Sequence, residues 1–294
     1  MKIFDCTTFY NEKLLMEIRF NILNYYVDKF IVVESHYSHS GNKKKLNFNI
    51  EDYPKFKNKI EYIVIENEPE NLIKDEALLK LQHNKRINSI IRIEQSYNSM
   101  IEGISSASDQ DLIMISDNDE IPNLQSDDFI NSQNNFYIFE QLFFYYRFNL
   151  LYDQIKWFGT KACKKKKLKN FSLIKNLKNK KYPFWRIDTL FNDLKQMNLK
   201  IIKNGGWHFT NLKKPEELFE KLLNFGHHDE FELSGLTLDD LKNKIKNKEV
   251  FYNHNLDKKN TNKWNSSYKL KKIKNDLLPD YLKNNIHKYK EWFD

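Results

Sequence analysis

The sequence predicts an open α/β sheet followed by a helical C-terminal part, on three observations. Four short runs, Lys2 to Thr8, Phe30 to Val33, Ile60 to Ile65 and Leu112 to Ile115, are nearly continuous in apolar and β-branched residues. Such runs are typical of parallel strands buried on both faces. Segments of helical period separate them, in the order strand, helix, strand, strand, helix, strand, as crossover connections require. The composition supplies a core: 40% of the 294 residues are hydrophobic, and only 7 are Gly and 6 Pro, which excludes a disordered or collagen-like chain.

The elements follow in order. Asn11 is placed to cap a helix on which Leu14, Leu15, Ile18, Ile22 and Leu23 repeat at helical spacing. From about Asp75 to Ile104 the pattern is helical again, with Leu78, Leu81, Ile90, Ile91 and Ile101 on apolar faces. The middle reads as strands: Phe136 to Phe148, Ile155 to Ala162, Leu199 to Ile202 and Trp207 to Thr210. Helices are expected over Pro215 to Phe225, Leu238 to Lys248 and Leu277 to Phe293, with a loop over the polar stretch 250–275. No repeat or Gly/Ser/Pro linker divides the chain. A single domain is expected, ending in a helical extension over 231–294.

Charge and segment composition narrow the class. The chain carries 48 basic and 40 acidic residues, a net charge of +8, but only five Arg. Readers of nucleic acid draw on Arg for bidentate base contacts, so no nucleic-acid partner is expected. The lysine runs Lys43 to Lys45 and Lys164 to Lys167 read as solvated surface, with attraction to an anionic substrate or membrane surface as the lesser reading. No stretch of 18 apolar residues occurs, which excludes a transmembrane helix. The N-terminus lacks the apolar core of a signal peptide, so a cytoplasmic location is expected. Two cysteines, Cys6 and Cys163, form neither a disulfide framework nor a metal motif.

Ligands of open α/β sheets bind outside the carboxyl ends of the strands. Directly after the fourth strand stands Ser116-Asp117-Asn118-Asp119-Glu120-Ile121-Pro122. Three carboxylates within four residues repel one another unless a positive charge joins them. A divalent cation, Mn²⁺ or Mg²⁺, suits Asp117 and Asp119 and bridges carboxylates to phosphates. The competing account is an acidic turn capping a helix near Ser126. In Gly205-Gly206-Trp207-His208-Phe209-Thr210, Trp207 offers a ring face and His208 a neutral imidazole that could complete the metal shell; the competing account is a tight turn feeding an aromatic strand. Thr7-Thr8-Phe9-Tyr10-Asn11-Glu12, where the first strand meets its helix, could hold an anion on backbone N–H groups or simply cap the helix. His227-His228-Asp229-Glu230 has no zinc spacing, and P-loop, serine-hydrolase and dinucleotide fingerprints are missing from the sequence.

Taken together these residues resemble a known family. Asp5 to Glu12, Leu15, Glu17-Ile18-Arg19, Val33-Glu34-Ser35, Ser116 to Pro122, Trp157-x-Gly159-Thr160, Gly206 to Phe209, Pro215-Glu216-Glu217 and Leu278-Pro279-x-Tyr281-Leu282 are similar, in order, to glycosyltransferase family 17. The resemblance covers essentially the whole chain, and implies that 1–125 binds the nucleotide-sugar and 126–230 faces the acceptor, with 231–294 as the helical extension. It implies a GT-A-type nucleotide-diphospho-sugar fold and an inverting transfer. The donor would be UDP-N-acetylglucosamine, the linkage of β-1,4 type and the acceptor a glycan, in surface-polysaccharide or glycoprotein glycan synthesis. It places Mn²⁺ and the diphosphate at Asp117 and Asp119, with His208 as a further metal contact. Thr7, Thr8, Phe9, Asn11, Glu12, Glu34 and Trp207 would lie around the donor. The family usually shows Arg-Asn where this sequence has Tyr97-Asn98, which removes a cation from that side. An inverting transfer needs a carboxylate base on the acceptor side. Asp229 and Glu120 rank first for it, ahead of Asp188 and Glu230. Two other classes compete: a GT-A domain that binds nucleotide or glycan without turnover, and a metal-dependent phosphodiesterase.

Overall fold

The computed structural model describes residues 1–256, 261–264 and 266–294. The four expected strands pair in parallel, in the spatial order β3 (Ile60–Ile65), β2 (Lys29–Ser35), β1 (Ile3–Thr8), β4 (Leu112–Ser116). All five residues of β4 are buried, as a strand covered on both faces must be. Beyond β4 the sheet turns antiparallel. β8 (Trp157–Lys164) pairs with β4 and with β6 (Phe136–Tyr145), and β6 leads on to β7 (Leu150–Leu151) and β11 (Lys271–Lys272). β9 (Leu199–Ile202) and β10 (Gly206–Thr210) run parallel to β6. A strand not foreseen, β5 (Glu120–Pro122), pairs antiparallel with β10. The fold is thus a mixed α/β fold built on a large open sheet.

Period-two alternation sorts the sheet's side chains into two layers. α1 (Lys13–Leu23) and the short α9 (Asp280–Asn284) cover one face, with Leu15, Ile18, Phe20 and Leu282 in the same core as Ile3 and Val32. α3 (Gln82–Asn98) and α5 (Phe171–Lys175) cover the other, where Tyr97, Phe171 and Ile174 meet Phe4, Cys6, Ile31 and Ile113. A third core joins Phe143, Tyr145 and Leu150 to α6 (Pro215–Asn224), α7 (His228–Ser234) and α8 (Leu238–Lys246). The small helices α2 (Glu76–Leu79) and α4 (Asp127–Ile130) complete the set among the described residues.

Several expectations change. The helical stretch 75–104 breaks at Lys80 and Leu81, and Leu78, Leu81, Ile90 and Ile101 are exposed. α3 instead buries Asn88, Ser89, Ser96 and Tyr97. Its inward face can be polar because the chain supplies partners: Asn88 brackets Ile73 with two backbone hydrogen bonds of 2.9 Å. The residue before α1 is Glu12 rather than Asn11, and its side chain does not cap the helix. Between the expected helices 215–225 and 238–248 stands a further one, α7, which starts at His228. The C-terminal stretch holds only the single turn of α9 and short 3₁₀ segments. Of the expected loop 250–275, residues 257–260 and 265 lie outside the described residues. Val250, Phe251, Trp264 and Leu270 are buried in the third core.

Candidate functional site

At the carboxyl ends of β1, β2 and β4 lies a cleft of about 280 Å³. Its floor is Thr8, Phe9 and Val33, its acidic side Glu12, Asp117, Asn118 and Asp119, and its far wall Lys221, Asn224, Phe225, Gly226 and His227 from the end of α6. Ile93, Ser96 and Tyr97 of α3 close one end, and Tyr10, Tyr37 and Lys44 another.

The acidic turn is held from below. Arg19 of α1 and Asp5 of β1 are both fully buried, joined through two hydrogen bonds of 2.7 and 2.5 Å. Asp5 lies on the α1 face of β1 because its neighbours Phe4 and Cys6 take the opposite one. The remaining Arg19 amine donates to the Glu120 carbonyl at 2.6 Å. From the side, β10 fastens the same turn: His208 pairs with Glu120 in register, and Phe209 N–H donates to the Asp119 carbonyl at 2.8 Å. Gly206 permits this approach, since its φ is +124° and a Cβ there would lie 2.1 Å from the Ile121 carbonyl oxygen.

The carboxylates themselves are met by the protein's own donors. Glu120 accepts from Trp157 Nε1 at 3.1 Å, from the Asp117 N–H at 3.0 Å and from Lys175 Nζ at 2.6 Å. Lys175 also pairs with Asp117 Oδ2 at 3.1 Å, and the Tyr97 hydroxyl donates to Asp117 Oδ1 at 2.6 Å. Burial would raise the Asp117 pKa, but Lys175 and the Tyr97 hydrogen bond outweigh it and hold the carboxyl below its ordinary value. Burial likewise opposes ionisation of Asp119, and His208 more than offsets it, so that this carboxyl stays charged well into acid. Lys175 is pushed the other way: burial disfavours its charge, but Asp117 and Glu120 raise its pKa well above the usual ammonium value. Lys175 Nζ also stands 5.9 Å from the centre of the Tyr97 ring. Glu12 is held similarly. It accepts from the Tyr10 and Asn11 N–H groups and from Asn118 Nδ2, and Lys213 and Lys221 overcome the burial that would raise its pKa.

His208 is clamped between rings, stacked on Trp157 at 4.3 Å and on Phe143 at 4.6 Å, which aims Nε2 at Asp119 Oδ2, 3.4 Å away. Opposite the turn, Glu34 shapes the loop that follows β2. It accepts from Lys44 Nζ, the Asn47 and Phe48 N–H groups and the Tyr62 hydroxyl. The loop then reaches across the cleft, where Asn42 Nδ2 and Ser40 Oγ donate to Asn224 Oδ1 at 2.9 and 3.2 Å.

Of the residues expected around a donor, Thr8, Phe9 and Glu12 line the cleft together with Asp117 and Asp119. Others do not. Thr7 is buried beneath it, Asn11 is exposed outside it, and Glu34 is fully enclosed with both oxygens taken. Trp207 faces the opposite side of the sheet from His208, as adjacent strand residues must, and lines a separate groove with Tyr25 and Leu278. Neither Glu120 nor Asp229 lines the cleft. Glu120 is committed to the turn, and Asp229, buried on α7 with an unpaired Oδ1, is the main acidic influence on Arg86. Of the lower-ranked carboxylates, Asp188 lies in an exposed segment paired with Arg186 and Lys195. Residues the sequence reading missed include Lys175, Lys221 and His39, and His227, weighed there only for zinc, also reaches the cleft. A lysine among 48 basic residues carries no positional signal; only the fold brings Lys221, His39 and His227 to the cleft and Lys175 to the carboxylates of the turn.

Among the described residues no three His, Cys, Asp or Glu side chains converge into a metal shell. Asp117 and Asp119 bring to the cleft the hard oxygen donors that a divalent cation takes, while His208 touches Asp119 without lining the cleft. Adjacent ligands on an octahedral ion about 2.1 Å away lie roughly 3 Å apart, close to the His208–Asp119 separation.

A cleft at the carboxyl edge of an open α/β sheet, walled by paired carboxylates on one side and lysine on the other, defines a ligand site of the enzyme type. The sequence profile of glycosyltransferase family 17 matches residues 1–291, and the chain belongs to that family; it is a glycosyltransferase. Among solved structures it is similar to the inositol-1-phosphate CTP transferase from T. maritima. That likeness has 14% identity and a TM-score of 0.34, over 76% of this chain and 96% of that one. It is also similar to HddC from Yersinia pseudotuberculosis, with 13% identity and a TM-score of 0.33, over 69% of this chain and 90% of that one. No protein of curated function matches the chain in sequence. Among the described residues no helix is long and apolar enough to cross a membrane.

Proposed function

We propose that the protein is an inverting, divalent-cation-dependent glycosyltransferase of GT-A type. It would transfer N-acetylglucosamine from UDP-N-acetylglucosamine to a glycan acceptor, forming a β-1,4-type linkage. The observation that carries this reading is the pair Asp117 and Asp119, turned into one cleft at the end of β4 and kept ionised there. Bound Mn²⁺ or Mg²⁺ would neutralise charge developing on the departing diphosphate. Asp117, Asp119 and His208 would hold that ion. Lys221 and Lys44 line the same cleft and would face the phosphates, while Phe9, Val33 and Tyr37 offer an apolar bed for the base. The acceptor hydroxyl must lose its proton as it attacks. We place that base at the 227–230 corner: His227 reaches the cleft, and Asp229 lies two residues further on. Burial and Arg86 lower the His227 pKa, and its Nε2 already accepts from Arg86 at 3.0 Å, so Asp229 ranks ahead of it as the base.

The test is nucleotide release from UDP-N-acetylglucosamine with Mn²⁺, against a chelated control and a panel of other UDP- and GDP-sugars. Cation-dependent release from one donor supports the reading. Tight nucleotide binding without release, even with acceptor extracts, would favour a binding domain, and release unaffected by chelation would remove the cation. Asp229→Asn and His227→Gln then separate the two groups at the corner: the base variant keeps donor binding and loses transfer.

A further inference from the structure

The chain's net charge is concentrated in one segment. Residues 164–195 contain eleven basic and two acidic residues, a net +9 against +8 for the whole chain, so the remaining residues sum to −1. Both acids are neutralised, Asp188 by Arg186 and Lys195, and Asp193 by Lys169. Within this segment Phe184, Trp185, Ile187, Leu190 and Phe191 are 86, 66, 70, 69 and 86% exposed. Isolated exposed apolar residues are ordinary, but five large ones within eight positions form a patch that signals a partner. The patch sits on a closed excursion: Lys178 N–H donates to the Leu194 carbonyl at 2.9 Å and ties the two ends together. Tyr182 stands at its base, with Lys180, Arg186 and Lys195 about its ring.

We propose that residues 178–195 dock the protein onto an anionic bilayer, with Phe184, Trp185, Leu190 and Phe191 entering the interface and the surrounding lysines meeting acidic headgroups. Aromatic and aliphatic tips ringed by lysine are the pattern of interfacial membrane binders, and the attraction of basic residues to an acidic leaflet falls off within a Debye length. A protein partner would also cover the apolar tips; the bilayer is favoured because residues 178–195 themselves carry five basic and two acidic residues, a net +3, with Lys180 and Lys181 exposed beside the tips in sequence. The docking segment continues from α5, whose Lys175 touches Asp117, so the docked face and the cleft share one helix. The proposal does not depend on the sugar-transfer reading.

Flotation of the full-length protein with vesicles of phosphatidylcholine alone, and with added phosphatidylglycerol, tests it. The protein should float with the anionic vesicles at low salt and be released at high salt. Phe184→Ser with Phe191→Ser, and separately Lys180→Glu with Lys181→Glu, should each weaken binding at least about tenfold, with melting temperature unchanged. Trp185→Phe should abolish the blue shift of tryptophan emission that vesicles produce. No binding to either vesicle, or binding that both double variants retain, overturns the proposal. So does light scattering that shows a dimer lost in the phenylalanine variant without any vesicle binding, which would assign the patch to a second copy of the chain.

Discussion

The acidic turn at 116–122 and the basic excursion at 178–195 are both dense clusters of like charge, and the fold treats them in opposite ways. In the turn, Arg19 grips the backbone from below, Lys175 bridges two carboxylates from the side and His208 flanks the third. In the excursion, the aromatic rings and Lys180 and Lys181 are exposed, and the two acids pair with basic residues at the surface. Buried charge must be matched locally, because desolvation is expensive, whereas exposed charge is screened and tolerates its neighbours. Accordingly the turn is rigidly specified, while the excursion is free to serve contacts outside the chain.

The largest expected effect lies in the turn. Asp119→Ala should lower cation-dependent nucleotide release about a thousandfold or more, since a lost leaving-group contact of this kind is worth several kcal/mol. Unchanged release would show that this carboxylate is structural only. Next, Arg19→Met should destabilise the fold by about 3–5 kcal/mol in urea unfolding, because Asp5 would be left buried and unpaired. Adding Asp5→Asn should recover part of the loss; if it recovers none, the damage lies in the turn's backbone rather than in the stranded charge.

Lys175→Met should give two opposite signs. Stability should fall by about 1–3 kcal/mol as Glu120 loses a buried donor. The affinity of the UDP complex for Mn²⁺ should rise, by roughly tenfold, because a competing positive charge leaves Asp117. A drop in both would assign Lys175 to the diphosphate instead. A smaller effect concerns pH. Burial and the nearby His208 hold the His254 ring neutral down to about 3, against an ordinary value of 6.5. The unfolded chain therefore takes up the proton first. This contribution leaves stability unchanged above pH 6.5 or so and lowers it as pH falls from there toward 3. Melting temperature in His254→Asn should fall less steeply over that window. Smallest of all, Phe184→Ser with Phe191→Ser should change stability by no more than about 0.5 kcal/mol, since neither ring packs inside. A larger loss would mean that the excursion belongs to the fold.

The parallel strands were legible because β1, β2, β3 and β4 are short, apolar and buried, and local composition encodes burial directly. The position of Asp117 and Asp119 followed from the strand that precedes them. β5 was not legible: three residues, Glu120 to Pro122, become a strand only because β10 pairs with them. Glu34 and Trp207 were placed near a ligand on adjacency in sequence. The fold encloses one among four donors and turns the other to the far face.

Local chemistry in the sequence thus determined that four apolar strands would stack into a sheet, that two carboxylates would stand where β4 ends, and to which family the ordered motifs belong. Tertiary structure alone decided which lysines and histidines meet those carboxylates. Lys175, Arg19, Lys221 and His208 are far apart in the chain, and no spacing rule connects residues that only crossovers between strands bring within 4 Å of the turn or to the opposite wall of the cleft. The same is true of the excursion: its composition is visible in the sequence, but its exposure results from the Lys178–Leu194 tie, which leaves its aromatic side chains outside the core.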